Sequence, residues 1–213
     1  TKDAFVKKGS SILQIQARGD KVYVLYTNQS FEILSSEDIE KVIVAKQDLG
    51  FGDLTAFAVC EAKNELWLSD KKGFAHIVDL ATLNSIDAGK ELKTIYGHPG
   101  LSMASSHNGG AFIALSDTKG YTTVFEAESR EQKSYFAHHQ NKVLETQFTQ
   151  DDKHILTLGF DKLLCVTSVE DHNSKRVLKG PGDTQMTNSC CSVQSGEKLS
   201  LFSGGYDCAV KHW

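Results

Sequence analysis

One short pattern recurs along the chain of 213 residues and constrains its fold more than any other feature. A strand of small or apolar residues leads into a tight turn that carries an aspartate, and an alternating strand follows. In the last copy, Ser203 precedes Asp207 by four positions, and the following strand ends at Trp213. In the copy before it, Thr157 precedes Asp161 by four positions, and the two aspartates are 46 residues apart. The chain is therefore built from repeats of one structural unit.

Earlier copies of the pattern are looser but keep the strand, the turn and the strand. Two copies with a longer turn lie at 68–78 and 115–125, and a further unit is predicted at 22–34. A period of about 40–45 residues with several short strands per unit is typical of β-propeller blades. We predict a single all-β propeller domain of about five four-stranded blades. Their expected bounds are near 1–45, 46–90, 91–133, 134–176 and 177–213.

The ring of blades is predicted to be incomplete. The aspartate turn and the closing Trp213 are typical of the WD repeat, and propellers of this class usually close with about seven blades. Five blades, and a first residue that is Thr1 rather than methionine, favour a piece of a longer polypeptide. Trp213 ends a third strand, so we expect the outer strand of the last blade to come from the other terminus. Residues 4–6, or residues preceding Thr1, are the candidates.

Composition limits the classes of function. A net charge of −4 with scattered Lys and Arg argues against binding of nucleic acid. The sequence has no apolar run of about 18 residues and no charged-then-apolar leader, so neither a membrane span nor a signal peptide is predicted. The five cysteines form no Cys-x-x-Cys pair, which favours reduced thiols and a cytoplasmic location.

The histidines are interpreted as structural residues rather than ligands. His139 stands where WD repeats carry a Gly-His box, just before the first strand of a blade. We expect its ring to hydrogen-bond toward Thr157 and Asp161, in a polar network that serves folding. Thr167 takes the position of the strand-closing tryptophan in this blade.

The same network is predicted less completely in the neighbouring blades. His98 belongs to a second Gly-His box, and its expected partners are Ser116 and Asp117. The last blade lacks the histidine and keeps the other members, which are Ser203, Asp207 and Trp213. Five further histidines are predicted to be isolated turn or surface residues: His76, His107, His154, His172 and His212.

The sequence carries no catalytic signature. It contains no Gly-x-Ser-x-Gly elbow, no phosphate-binding Gly-Lys-Ser/Thr loop and no His-Glu-x-x-His helix. Asp151 and Asp152 are interpreted as a turn between strands rather than as paired catalytic carboxylates. A propeller enzyme or small-molecule binder would need ionisable groups on the central channel, where Glu145 is the clear candidate. We predict a protein with no catalytic activity, no cofactor and no bound metal.

A binding surface can be predicted from the turns. The turn between the second and third strands of each blade opens on one face of a propeller, and the residue before its aspartate tends to be exposed. Phe160 and Tyr206 hold that position in adjacent blades and are candidate interface anchors. Lys142 or His138 is expected at the rim. The alternative is that both rings pack against neighbouring blades.

The order of the units resembles the last five blades of the actin-interacting protein 1 family. The resemblance is carried by the unit ending at 75–80, the unit ending at 121–126, the segment 136–143 with 156–161, and the terminal segment 202–213. Proteins of that family carry two seven-bladed propellers. The resemblance thus implies that this chain covers about a third of such a protein.

The resemblance also implies a cytoskeletal role in the cytoplasm. Members of the family bind actin filaments decorated with cofilin and promote their severing or capping. Their actin-contacting residues lie mainly on the first propeller, so no numbered residue of this chain inherits that role. The alternative is a generic WD-repeat scaffold that binds an unrelated protein partner.

Overall fold

The strands of the chain form five antiparallel sheets that follow one another in sequence order. The computed structural model describes residues 10–86, 89, 91–178, 187–195 and 198–213. The first sheet contains β1 (Ile12–Arg18), β2 (Lys21–Tyr26), β3 (Phe31–Ser35) and β4 (Val42–Lys46). The second contains β5 (Leu54–Cys60), β6 (Glu65–Asp70), β7 (Phe74–Asp79) and β8 (Leu92–Lys93). A 3-10 helix at Glu61–Lys63 joins β5 to β6.

The remaining sheets repeat the same up-and-down order. The third contains β9 (Gly100–Ser105), β10 (Phe112–Asp117), β11 (Tyr121–Glu126) and β12 (Glu131–Ala137). The fourth contains β13 (Val143–Phe148), β14 (His154–Gly159), β15 (Leu164–Ser168) and β16 (Lys175–Leu178). The fifth contains β17 (Thr187–Ser195), β18 (Lys198–Gly205) and β19 (Val210–His212). The all-β, five-bladed propeller predicted from the repeats is confirmed.

Each blade is held by side chains that alternate between its two neighbours. In β6 the whole strand is buried, and the period of two splits it between two cores. Leu66 and Leu68 pack toward the first blade, in the cluster where the Phe31 and Phe57 rings meet edge-to-face at 5.3 Å. Trp67 points the other way and packs toward the third blade. The second blade thus buries its two faces against the first and third blades, as expected for a repeat that is stable as a stack.

A buried ion pair adds a polar contact between the second and third blades. The guanidinium of Arg130 donates two hydrogen bonds to the carboxylate of Glu65, one of them at 2.7 Å. The same carboxylate accepts a hydrogen bond from Nε1 of Trp67 at 3.1 Å, and the Arg130 guanidinium lies 5.4 Å from the centroid of the Trp67 ring. Closer to solvent, Lys63 pairs with Glu128 across the same two blades.

The last sheet has three described strands. β19 pairs with β18, and Trp213 continues the pairing through two backbone hydrogen bonds with Leu201. The candidate outer strand, residues 4–6, lies outside the described residues. Completion of a seven-bladed ring stays a prediction.

The predicted blade bounds, near 45, 90, 133 and 176, stay a prediction. Positions 45, 133 and 176 lie within β4, β12 and β16, and position 90 precedes β8.

Across the described part of the chain, no helix has the length and apolar character that a membrane span requires.

Candidate functional site

The turns between the second and third strands of the blades share one geometry and define one face of the propeller, here called the turn face. In each turn the first residue stands at an equivalent place, and these residues are Thr27, Lys71, Thr118, Phe160 and Tyr206. In the first four blades the N–H of this residue donates to the carbonyl of the residue immediately before the inner strand. For Phe160 the acceptor is Lys142, at 2.8 Å. These bonds hold the turn between the second and third strands against the loop that precedes the first strand of the same blade.

The fourth blade and the fifth blade use the same turn. Lys162 donates its N–H to the Gly159 carbonyl at 3.1 Å, and Cys208 donates to the Gly205 carbonyl at 3.2 Å. Lys162 and Cys208 also share a positive φ, 71° and 58°. Phe160 therefore occupies the same turn position as its counterpart in the fifth blade.

The second and third blades place the aspartate one position earlier, at the end of the strand. Oδ1 of Asp70 accepts hydrogen bonds from the N–H groups of Lys72 and Phe74, at 2.8 and 2.9 Å. Oδ1 of Asp117 accepts hydrogen bonds in the same way from the N–H groups of Lys119 and Tyr121, at 2.8 and 3.0 Å. The exposed position then follows the aspartate instead of preceding it. A polar carboxylate cap on the turn is common to these blades.

His139 lies at the centre of a buried network in the fourth blade. Its Nδ1 lies 2.9 Å from Oδ1 of Asp161, and its Nε2 lies 2.9 Å from Oγ1 of Thr157. Thr167, which replaces a tryptophan, is fully buried, and its Oγ1 has no hydrogen-bond partner among the described residues. The network ties the loop before β13 to the turn after β14.

The third blade forms only half of this arrangement. Nδ1 of His98 lies 3.1 Å from Oδ2 of Asp117. Ser116 does not join His98, because its Oγ instead pairs with Thr122 at 2.8 Å and accepts a hydrogen bond from Thr146 at 2.6 Å. The hydroxyl of Thr146 from the next blade takes the place of the histidine.

In the fifth blade, tryptophan and lysine take the place of the histidine as partners of the strand serine and the turn aspartate. Nε1 of Trp213 donates to Oγ of Ser203 at 3.0 Å. Asp207 accepts a hydrogen bond from the Ala209 N–H at 3.3 Å, and Lys211 forms an ion pair with it at 2.5 Å. The Lys211 side chain, four positions after the aspartate, holds the pKa of Asp207 below its ordinary value.

The two aromatic residues predicted as anchors are exposed on the turn face. The Phe160 side chain is 42% exposed, and Tyr206 is 64% exposed, so neither ring is buried between blades. Nζ of Lys142 lies 4.5 Å from the centroid of the Phe160 ring, a cation–π contact. His138 packs instead against Phe136, with ring centroids 4.6 Å apart.

His138 is partly withdrawn from solvent, and its ring nitrogen Nε2 lies 3.2 Å from the carbonyl oxygen of His172. Burial lowers the pKa of His138 below its ordinary value, and the positive charge of Lys175 lowers it further. Burial also lowers the pKa of His172, whose ring stacks on Phe136 at 5.8 Å. His172 is thus a contact residue between two blades rather than an isolated one.

Sequence reasoning missed an aromatic cluster on the third blade. The Tyr96 ring meets Tyr121 edge-to-face at 4.9 Å and meets Tyr135 at 6.3 Å. Tyr96 and Tyr135 are 57% and 46% exposed. The cluster comes from a loop, a strand start and an outer strand, so no single sequence window contains it. Its one local signal is that Tyr96 precedes the Gly-His box of His98.

His76 also has partners that its sequence neighbourhood does not suggest. Its Nε2 lies 3.1 Å from Oδ2 of Asp70, and its ring stacks on Phe51 at 4.5 Å. The expectation that His76 stands alone was wrong, since the turn and the preceding inter-blade loop both reach it.

Comparison with known proteins supports the repeat class. No protein-family model matches the chain. WD repeat-containing protein 1-A of Xenopus laevis is 26% identical over 160 residues, which is 74% of this chain and 25% of that protein. WD repeat-containing protein 1 of Gallus gallus is 24% identical over an alignment of 220 positions, covering 89% of this chain and 35% of that protein. The chain is a WD-repeat β-propeller resembling WD repeat-containing protein 1. It spans only about a quarter to a third of the length of these relatives.

Ionisable groups on the inner strands of this WD-repeat propeller hydrogen-bond to other blades. Glu145 accepts a hydrogen bond from the Cys190 N–H at 3.0 Å, and this bond joins β13 to β17. The Glu145 carboxylate accepts another from Nε2 of Gln147 at 2.6 Å. Arg18 lies 3.2 Å from Nδ1 of His107 and donates to the Ser105 carbonyl at 3.3 Å. A cavity of about 330 Å³ is lined by Glu145, Arg18 and His107, among others. Within the described ranges, no three His, Cys, Asp or Glu side chains come together as a metal site.

Proposed function

We propose that this WD-repeat chain is a non-catalytic protein-interaction module that acts in actin filament turnover, in the cytoplasm, by binding filaments decorated with cofilin and promoting their disassembly. The observation that carries the proposal is the similarity to WD repeat-containing protein 1, which agrees with the order of the blades. The chain would form part of a seven-bladed ring in a longer polypeptide.

The turn face supports the proposal by offering anchors of the kind that protein interfaces use. Phe160 and Tyr206 are large, exposed and fixed on rigid turns of adjacent blades. Aromatic side chains on rigid supports often dominate binding energy, and truncation of such an anchor costs about 2 kcal/mol or more. The large exposed fraction of both side chains leaves them accessible to a partner.

Co-sedimentation tests the proposal. The full-length polypeptide that contains these residues, and separately the 213-residue chain, would be pelleted with actin filaments in the presence and absence of cofilin. We expect cofilin-dependent pelleting of the full-length protein. A Phe160→Ser, Tyr206→Ser double variant should weaken it by about 30-fold or more, as the loss of one strong anchor implies.

A matched control comes from the second blade. Lys71→Ser alters the same turn position without removing a ring and should pellet like the parent. Equal pelleting with and without cofilin, or none at all, would refute the actin proposal. In that case a generic scaffold that binds an unrelated protein becomes the better assignment, and the same two variants would be carried into the search for its partner.

A further inference from the structure

The tyrosine cluster of the third blade, formed by Tyr96, Tyr121 and Tyr135, presents aromatic rings to solvent. Tyr96 and Tyr135 are 57% and 46% exposed, and Tyr121 is partly exposed. The Tyr96 ring stands at 71° to the Tyr121 ring and at 78° to the Tyr135 ring. Rings at such steep angles do not stack face to face, so ring faces in the exposed part of the cluster are open to a ligand.

Other aromatic rings of this propeller carry a cation that the chain itself supplies. Nζ of Lys133 lies 4.1 Å from the centroid of the Phe112 ring, and Nζ of Lys142 lies 4.5 Å from the centroid of the Phe160 ring. Among the described residues, no lysine or arginine lies over a ring of the tyrosine cluster. The negative electrostatic potential of these ring faces is therefore not met by a cation of the described chain.

The loop before the inner strand shows where the third and fourth blades differ. Phe160 donates its N–H to the Lys142 carbonyl at 2.8 Å, and Thr118 donates in the same way to the Pro99 carbonyl at 3.1 Å. Lys142 and Pro99 thus hold equivalent places in their blades. The fourth blade has an ammonium group beside its exposed ring, whereas the third blade has a proline at that place.

A buried carboxylate adds to the negative potential beneath the tyrosine cluster. The Asp117 side chain is fully buried, and its Oδ1 accepts a hydrogen bond from the Tyr121 N–H at 3.0 Å. Its Oδ2 lies 3.1 Å from Nδ1 of His98, and the His98 ring lies 5.9 Å from both the Tyr96 and the Tyr121 ring. Within the described ranges, no lysine or arginine pairs with this carboxylate. The base of the cluster therefore also favours a cation.

Two exposed lysines stand on the adjoining turns. Lys72 follows Asp70 in the second blade, and Lys119 follows Asp117 in the third. Neither ammonium group lies over a tyrosine ring. Water and salt screen exposed charges beyond about 8 Å at physiological ionic strength, whereas a cation on a ring face acts in direct contact. The place over the rings is thus not taken by these lysines.

We infer that the tyrosine cluster binds an arginine side chain of a protein partner, with the guanidinium group against the ring faces of Tyr96 and Tyr135. A guanidinium group fits better than an ammonium group because it is planar, stacks on aromatic rings and is more weakly hydrated. The inference goes beyond the proposed function, because it specifies the ligand group of a site on the third blade and assumes neither actin nor cofilin.

The test uses a matched pair of peptides with the full-length polypeptide that contains these residues. The peptide GSGRGSG is compared with the same peptide carrying citrulline, the uncharged isostere of arginine, in place of the arginine. Saturation-transfer NMR detects the weak binding expected of a single side chain. We expect the arginine peptide to bind at least about fivefold more tightly than the citrulline peptide, as a cation on partly desolvated rings implies.

Variants place the binding on the cluster. Tyr96→Ser with Tyr135→Ser should remove the preference, so that the two peptides bind within about twofold of each other. Tyr206→Ser removes an exposed tyrosine ring from the fifth blade and is the matched control, which should keep the full preference. Circular dichroism establishes that each variant is folded, and the comparison of peptides on the parent protein decides the inference even where a variant does not fold.

Three outcomes would overturn the inference. They are equal binding of the arginine and citrulline peptides, a preference that survives in the double tyrosine variant, and tighter binding of a peptide with lysine or glutamate in place of the arginine. The assay contains neither actin nor cofilin. Loss of cofilin-dependent pelleting would therefore refute only the actin proposal, and absence of the arginine preference would refute only this inference.

Discussion

Removal of Arg130 tests how the second and third blades are joined. Glu65 is almost fully buried, with 8% of its side chain exposed, and the Arg130 side chain is 19% exposed. Arg130→Met keeps much of the apolar contact with Trp67 but leaves the Glu65 carboxylate without its cation. Breaking a buried pair in this way costs about 3–5 kcal/mol, and the partial exposure of Arg130 places the expected loss near the lower end, at about 3 kcal/mol.

The double variant separates the cost of an unpaired charge from the value of the pair. Glu65→Gln with Arg130→Met removes both charges, so we expect it to be at least about 1 kcal/mol more stable than Arg130→Met alone. Lys63→Gln, which breaks the neighbouring pair with the exposed Glu128, should cost less than about 1 kcal/mol.

Urea unfolding followed by circular dichroism measures these differences. With a slope of about 2–3 kcal/mol/M, a loss of 3 kcal/mol lowers the midpoint by about 1–1.5 M. The reasoning is refuted if Arg130→Met unfolds within about 0.2 M of the parent, or if Glu65→Gln makes that variant less stable still. Either result would mean that water reaches the Glu65 carboxylate in the folded state.

Three further predictions concern the network and the loops of the third and fourth blades. Gly120→Ala should lower the free energy of unfolding by about 1–3 kcal/mol, because φ is +94° and a Cβ would overlap the carbonyl oxygen of His139; a denaturant midpoint equal to that of the parent would contradict this. Thr157→Val should cost about 1–3 kcal/mol, since it leaves Nε2 of His139 buried without its partner, and a neutral result in the same assay would show that water replaces the hydroxyl. The folded-state pKa values of His138 and His172 are lowered, so the unfolded chain binds more protons below about pH 6.5; Tm should therefore fall between about pH 7 and 5.5, and a Tm that rises on acidification would reverse the argument.

Local repetition is what made the fold predictable. The small-residue strand, the aspartate turn and the strand that follows recur within about a dozen residues, so a single window reveals each unit. Thr157 and Asp161 lie in such a window, and His139 begins the same repeat; the three side chains are hydrogen-bonded in the structure. A one-residue shift of the aspartate in two blades was enough to hide which residue is exposed there.

Contacts between blades were not predictable in the same way. Glu65 and Arg130 are 65 positions apart, and no local pattern marks either as a partner of the other. Ser116 was expected to face His98, yet its Oγ accepts a hydrogen bond from Thr146 of the following blade instead, and that contact depends on how closely the two blades pack. The repeat pattern specifies one blade, whereas the neighbour decides which polar groups of that blade meet.

The same distinction bears on the binding surface that we propose for this fold. In the three blades where the turn aspartate meets a histidine, the aspartate side chain is at most 11% exposed, so these carboxylates contribute little charge to the surface. What differs from blade to blade is the first residue of the turn and the loop beside it. Threonine, lysine, phenylalanine and tyrosine occupy that one position on a backbone that scarcely changes. If the turn face binds the partner, as we propose, substitution at this one position would change the partner while the buried networks stay fixed, and the aromatic residues Phe160 and Tyr206 hold that position in the last two blades.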